Sequence, residues 1–210
     1  MKKLKDKWIQ TFPTPSSKWI LIFGFCILIA TFFLNNVMST YADKVSGPSV
    51  HDLFLDAIPE QNVDFIFFWV ALAWCITLFI YHLFRPAQLS FLLWGFALFI
   101  IVRSFFITLT HLGPPVTSSV IPPYLTFYSF HSDMFFSGHV GGPFFFALLT
   151  SNRVMRTVAL AYTLFMIVIV LIAHTHYSID IFASLFISHS LSVIMKKFEN
   201  KYFFNRQISE

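Results

Sequence analysis

Six apolar windows dominate this chain of 210 residues and limit what it can fold into. They cover 19–38, 65–84, 88–110, 134–152, 157–173 and 181–195, and their lengths bracket the roughly 20 residues that a helix needs to cross the hydrocarbon core of a membrane. With 57% hydrophobic and 11% charged residues, the composition excludes an ordinary soluble domain. We therefore predict an all-α polytopic membrane protein with six transmembrane helices.

The Lys and Arg residues lie almost entirely on one side of this arrangement. Of the 14, only Lys44 and Arg103 fall outside the two ends of the chain and the turns near Arg85 and 153–156. The positive-inside rule then places both termini in the cytoplasm. The expected parts are a basic cytoplasmic segment at 1–18, a six-helix membrane domain at 19–195 and a basic cytoplasmic tail at 196–210. This asymmetry accounts for the net charge of +4, so no nucleic-acid partner is needed.

The polar segment 174–180, with the sequence HTHYSID, separates the last two apolar windows. Ionisable groups at membrane depth usually mark a functional site. His176 and Asp180 are four residues apart, so on a helix they share one face and can touch. A carboxylate that holds one ring nitrogen of a histidine leaves the other nitrogen basic and oriented. The alternative is a polar pair that only locks two helices together.

Two further features suit an anionic ligand. Arg103 lies within the third window, where its guanidinium either reaches back to the outer membrane surface or binds a group such as phosphate. Ser137, Gly138 and His139 open the fourth window. Ser137 is a suitable N-cap, and the unpaired backbone N–H groups of a helix start favour phosphate. His139 would then lie beside that anion.

The histidines are concentrated on the predicted outer side, which suggests one outward-facing polar site. Six of the eight lie there: His51, His111, His131, His139, His174 and His176. The first outer loop is acidic. We interpret its Asp52 and Asp56 as part of a solvated amphipathic turn lying on the membrane.

These residue types favour phosphoryl transfer without a metal ion. His176 can attack phosphorus, and Asp180 can fix its tautomer and stabilise the cation that forms. His139 can protonate the leaving oxygen and then accept a proton from the incoming hydroxyl. Arg103 and the amides near Gly138 can offset charge on the phosphoryl oxygens.

The order of these motifs resembles the sphingomyelin synthase family, a branch of the lipid phosphate phosphatase (type 2 phosphatidic acid phosphatase) superfamily. The motifs that carry the resemblance are Arg103, Asp133, then Ser-Gly-His at 137–139, then His-x-His-Tyr-Ser-x-Asp at 174–180. The resemblance implies that His139, His176 and Asp180 form a catalytic triad. It also implies substrate or phosphate contacts from Arg103, Asp133, Ser137, Gly138, Tyr177 and His174.

The implied reaction moves phosphocholine or phosphoethanolamine from a glycerophospholipid to ceramide or a similar lipid alcohol, without a cofactor. The implied site faces the lumen, the periplasm or the cell exterior. Leu78 stands where the phosphatase branch has a lysine, which favours the synthase branch. The expected partners are membrane lipids, and a homo-oligomer is compatible with the sequence.

Three rival interpretations remain open from the sequence. A lipid phosphatase or phospholipase-C-like hydrolase would use the same histidine pair, with water as the acceptor. A metal protein would use His139, His174, His176 and Asp180 as ligands. A transporter would use the histidines as a proton relay, although polar residues at the midplane and two related halves are not evident.

Overall fold

The structure, a computed structural model, describes residues 2–115 and 134–199, and all the regular secondary structure in these residues is helical. Two short 3-10 turns accompany seven α-helices. These are α1 (Lys2–Thr11), α2 (Pro15–Lys44), α3 (Asp64–Phe84), α4 (Leu89–Leu109), α5 (Gly138–Leu149), α6 (Arg153–Ile172) and α7 (Ser178–Phe198).

Five of the α-helices are long and apolar enough to cross a membrane: α2, α3, α4, α6 and α7. They confirm five of the predicted windows and support a polytopic membrane protein. The window 134–152 instead contains α5, which has 12 residues. At about 1.5 Å per residue, this helix alone is shorter than the hydrocarbon core, which is about 30 Å thick. The sixth span therefore stays a prediction.

Three of the long helices, α2, α6 and α7, extend several residues beyond the predicted windows, which are bounded by charged or polar residues. Lys44 ends α2, and Arg153 begins α6. Long basic side chains reach water from the last turn of a membrane helix, so a charge does not mark the helix end. The segment 1–18, predicted as a cytoplasmic lead, also contains α1. Trp8 Nε1 in this helix donates a hydrogen bond to Leu83 O over 2.9 Å.

The helices run alternately between two ends of the bundle. We call one the histidine end, formed by residues 45–63, 110–115, 134–137 and 173–177. The other is the basic end, formed by residues 2–14, 85–88 and 150–152. The predicted cytoplasmic segments that the structure describes therefore share one end. Which side of the membrane each end faces remains a prediction.

Small residues let α5 pack closely against α7. A Cβ atom added to Gly141 would lie 3.1 Å from Ser184 Cβ, and Ser188 Oγ donates a hydrogen bond to Gly141 O over 3.0 Å. By contrast, α3 meets its neighbours through aromatic rings. Trp74 stacks on Tyr162 of α6 with ring centroids 4.6 Å apart. The core thus positions the first turns of α5 and α7 side by side at the histidine end.

Two loop segments pair at the histidine end through their backbones. Gly47 N donates to His111 O over 2.8 Å, and Gly113 N donates to Pro48 O over 3.3 Å. A Cβ atom on Gly113 would lie 2.3 Å from Gly47 O, closer than any real contact. The close approach of the two segments therefore requires glycine at position 113.

We expect Gly113→Ala to destabilise the protein, because the two backbone segments would have to separate. Overpacking of this kind costs about 1–3 kcal/mol. The matched control is Gly142→Ala in α5, where the nearest atom to the added Cβ is Phe96 Cε1 at 3.9 Å. Thermal unfolding in detergent should show a lower midpoint for Gly113→Ala alone. Equal midpoints for the two variants would contradict the tight pairing.

Candidate active site

The turn between α6 and α7 holds His174 in a strained backbone conformation. Its φ is +50°, in the left-handed region that favours glycine. His174 N donates to Leu171 O and Thr175 N donates to Val170 O, which together form a Schellman motif at the end of α6. The buried ring donates from Nε2 to Ile58 O over 3.0 Å. His174 therefore ends one helix and fastens the first loop to it.

The first turn of α7 brings His176 and Asp180 together, as their spacing predicts. His176 Nδ1 lies 3.5 Å from Asp180 Oδ2, and both side chains are buried. The same carboxylate oxygen accepts a hydrogen bond from Tyr177 N over 3.0 Å, which fixes the orientation of the Asp180 side chain. No described residue hydrogen-bonds the opposite ring atom, His176 Nε2. In the predicted mechanism, this is the nitrogen that attacks phosphorus.

The start of α5 adjoins the start of α7. Ser137 N donates a hydrogen bond to Asp180 O over 3.3 Å. Among the described residues, five buried polar side-chain atoms have no hydrogen-bond partner, and three of them lie here: Ser137 Oγ, His176 Nδ1 and Asp180 Oδ1. Buried polar atoms are normally paired, so a group of unpaired ones is a place where a polar ligand or an ordered water molecule would find partners.

Arg103 is buried against the same junction rather than extended toward the membrane surface. Its Nε donates to Phe136 O and its Nη1 donates to Asn35 Oδ1, each over 3.0 Å. A Cβ atom on Gly138 would lie 3.1 Å from Arg103 Nε, so the guanidinium packs directly on the start of α5. These contacts show that Arg103 does not extend to the outer surface. Its binding of a ligand stays a prediction.

Asn35 was missed in the sequence analysis although it touches the predicted arginine. Besides Arg103, its amide oxygen accepts a hydrogen bond from Ser104 Oγ over 3.4 Å. The available signal was a pair of asparagines, Asn35 and Asn36, inside an otherwise apolar window. Only the packing of α2 on α4 tells which of the two faces the protein interior.

The remaining predicted residues differ in their surroundings. His139 is exposed in the first turn of α5, and its ring centroid lies 4.6 Å from that of Phe67 on α3. Gly138 contacts Arg103 as described above. Asp133 lies outside the described residues, as does His131. The catalytic and binding roles of all these residues stay predictions.

Tyr177 joins the two loops of the histidine end to α7. Its buried hydroxyl donates to Gly113 O over 2.9 Å and accepts from Val50 N over 3.1 Å. Burial raises the pKa of this phenol, which therefore remains protonated at neutral pH. Through these contacts Tyr177 holds both loops against the start of α7. A contact between Tyr177 and substrate remains a prediction.

Asp52 caps α7 from the first loop, which corrects its interpretation as part of a solvated turn. Asp52 Oδ2 accepts hydrogen bonds from both Ser178 N and Ser178 Oγ, each over 2.8 Å, and the side chain is buried. Asp56 fits the solvated interpretation: its exposed carboxylate lies 3.1 Å from His51 Nδ1. The four-residue spacing of Asp52 and Asp56 suggested a shared role. It could not reveal that Asp52 caps a helix 126 positions away.

The Asp52 carboxyl has a pKa below its ordinary value of 3.8. Burial alone would raise the pKa, but hydrogen bonds from Leu55, Ser178 and Phe54 to the ionised form outweigh that effect. Asp52 therefore remains ionised at the start of α7, where a negative charge also interacts favourably with the helix dipole.

The rival metal interpretation finds no support in the described part of the chain. No group of three or more His, Cys, Asp or Glu side chains there is arranged to hold a metal ion.

Comparison with known proteins points to a family for this junction. Residues 132–197 match the family model described as PAP2 superfamily C-terminal. This match supports the lipid phosphatase (PAP2) superfamily. It includes both helix starts described above and favours a phosphoesterase-type membrane enzyme, without singling out the sphingomyelin synthase branch. No curated protein matches the chain.

Replacing Asn35 tests the anchoring of Arg103. We expect Asn35→Leu to lower the midpoint of thermal unfolding, because losing one partner of a buried charged group costs about 1–3 kcal/mol. Asn36→Leu is the matched control, because Asn36 is exposed on the adjacent position of α2. A midpoint for Asn35→Leu as high as that of the control would show that Arg103 does not need this amide.

Replacing Asp52 tests the cap of α7. Its pKa is lowered by folding, so its contribution to stability is present above pH 3.8 and is lost as the pH falls through the folded value. We expect Asp52→Asn to cost about 1 kcal/mol at neutral pH, typical of a lost helix cap. The gap to wild type should shrink in unfolding curves recorded below pH 3.8. Asp56→Asn, at the exposed neighbour, should follow the wild type throughout; a gap of equal size there would contradict the assignment.

Proposed function

We propose that the protein is a membrane phosphotransferase that moves a phospho-head-group, phosphocholine or phosphoethanolamine, from a glycerophospholipid to ceramide or a similar lipid alcohol. The observation that carries the proposal is the junction of the two helix starts. His176, Asp180 and Arg103 lie around the same group of unpaired buried polar atoms. Phosphoryl oxygens can accept hydrogen bonds from the Ser137 hydroxyl and the Arg103 guanidinium at this junction.

In the first step His176 Nε2 attacks phosphorus, and the bond from phosphorus to the diacylglycerol oxygen breaks. His139 gives its proton to that oxygen, so diacylglycerol leaves as the neutral alcohol. The head-group phosphoryl is then covalently bound to His176. Asp180, 3.5 Å from the opposite nitrogen, stabilises the positive charge that develops on the ring.

In the second step the acceptor hydroxyl gives its proton to His139 and attacks phosphorus. The bond from phosphorus to His176 breaks, which restores both histidines to their starting states. Arg103 offsets the charge on the phosphoryl oxygens in both steps. Its rigid placement on Gly138 suits a fixed transition state, because the guanidinium needs no rearrangement when the charge develops.

Burial supports transfer over hydrolysis. The side chains of His176 and Asp180 are 6% and 0% exposed, and a phosphohistidine shielded from bulk water survives long enough to meet a lipid acceptor. The second candidate is a lipid phosphatase or phospholipase-C-like hydrolase, which the superfamily match favours. The two candidates share the first step and differ in the acceptor.

A single assay separates the two. Purified protein in mixed micelles would receive phosphatidylcholine or phosphatidylethanolamine labelled in the head group, with and without ceramide or diacylglycerol. Labelled sphingolipid that depends on ceramide supports the transferase. Release of free phospho-head-group at the same rate with and without acceptor identifies the hydrolase. Neither product from any of these donors contradicts the proposal.

The roles of the residues can be tested in the same assay. We expect His176→Ala to abolish turnover and Asp180→Asn to reduce it by about two to four orders of magnitude. Arg103→Lys should weaken turnover through loss of its planar fork of donors. His51→Ala is the control, because His51 is fully exposed at the histidine end and pairs with the exposed Asp56. An active His176→Ala protein would remove the proposed nucleophile.

A further inference from the structure

An open cleft of about 490 Å³ lies at the basic end, on the opposite side of the bundle from the candidate active site. It is formed where α1, the end of α3 and the turn before α6 meet. Lys7 and Arg85 line it, and no carboxylate of the described residues does. Its volume falls within the range of small-molecule and head-group sites.

Both basic groups are held near the cleft by local contacts. Lys7 Nζ donates to Phe84 O over 3.3 Å, at the carbonyl end of α3, and the Arg85 guanidinium lies 5.8 Å from the centre of the Tyr81 ring. The contact with Phe84 uses one of the three donors of the ammonium group, so the others can reach a ligand. The two cations thus line the cleft from neighbouring elements, α1 and the end of α3.

The amide side chains of Gln88 and Asn152 add hydrogen-bond donors to the cleft. Gln88 Oε1 accepts from Ser151 N over 3.2 Å, and Asn152 Oδ1 accepts from Met155 N over 2.9 Å. Each amide oxygen already accepts one hydrogen bond from the backbone, and the NH₂ group of each side chain supplies two further donors. Cations and amide donors together complement an anion with several acceptor oxygens.

The apolar surface beside the cleft indicates that its ligand is an amphiphile, with a charged head and apolar chains, and not a free ion. Phe84 lines the cleft and is 54% exposed, and Ile80, one turn earlier on the same helix, is 48% exposed. Exposed apolar side chains on a membrane helix face lipid tails. A ligand with a charged head and acyl chains could occupy the cleft and this helix face together.

We propose that the cleft binds the phosphate head group of an anionic glycerophospholipid, with its acyl chains along the exposed face of α3. Basic pockets at the end of a helical bundle attract such lipids through their head groups. The proposed site is separate from the histidine end, and its occupancy does not depend on the function proposed above.

Native mass spectrometry of the full chain in detergent tests this site, with phosphatidylglycerol as the anionic probe and phosphatidylcholine as the zwitterionic one. We expect the wild type to retain phosphatidylglycerol preferentially. The double variant Lys7→Gln/Arg85→Gln should lower that affinity about tenfold to thirtyfold. The control Lys5→Gln/Lys197→Gln removes the same charge from exposed positions at the same end and should change the affinity little.

Three results would overturn the proposal: no preference for phosphatidylglycerol, an equal loss in both double variants, or displacement of the lipid by inorganic phosphate at constant ionic strength. The last result would identify a site for free phosphate. If the cleft variant fails to fold, as judged by size exclusion, Arg85→Gln alone decides the question, because it leaves the bond from Lys7 to α3 in place. Unchanged affinity in that variant would also overturn the proposal.

Discussion

The first turn of α7 is held by two carboxylates, and the arrangement of the histidine end depends on them. Asp180 accepts from the backbone of Tyr177, and Asp52 accepts from the backbone and hydroxyl of Ser178. Helix starts leave N–H groups without partners, and in the apolar part of a membrane such groups are costly. The same requirement that stabilises the helix therefore sets Asp180 at the position from which it can orient His176.

Asp52 does more than complete the helix. Since it lies in the loop after α2, its bond to Ser178 joins the first and last long helices of the described structure. Tyr177 and His174 add bonds from the same turn to Gly113 and to Ile58. The loops of the histidine end therefore converge on the candidate catalytic segment. Loss of order in one loop would remove hydrogen bonds that hold this segment in place.

The sequence predicted well those features that depend on local spacing or on long apolar composition. The contact between His176 and Asp180 followed from four-residue spacing, and five long helices followed from apolar windows. It predicted poorly what depends on distant packing. The length of α5 was overestimated. Ser137 was predicted to cap its start, but apolar composition alone did not show that the helix ends at Leu149. The partner of Arg103 and the cap from Asp52 come from residues 68 and 126 positions away, which no local pattern encodes.

The docking of α2 has a consequence for how the protein matures. The segment 132–197 carries the family motifs, but the amide that orients Arg103 belongs to α2, which packs mainly on α4. A ribosome releases α2 early and the turn at 174–180 late. A nascent chain therefore completes the contacts around Arg103 and the first turn of α7 only when its earliest long helix and its final one have both folded against the bundle.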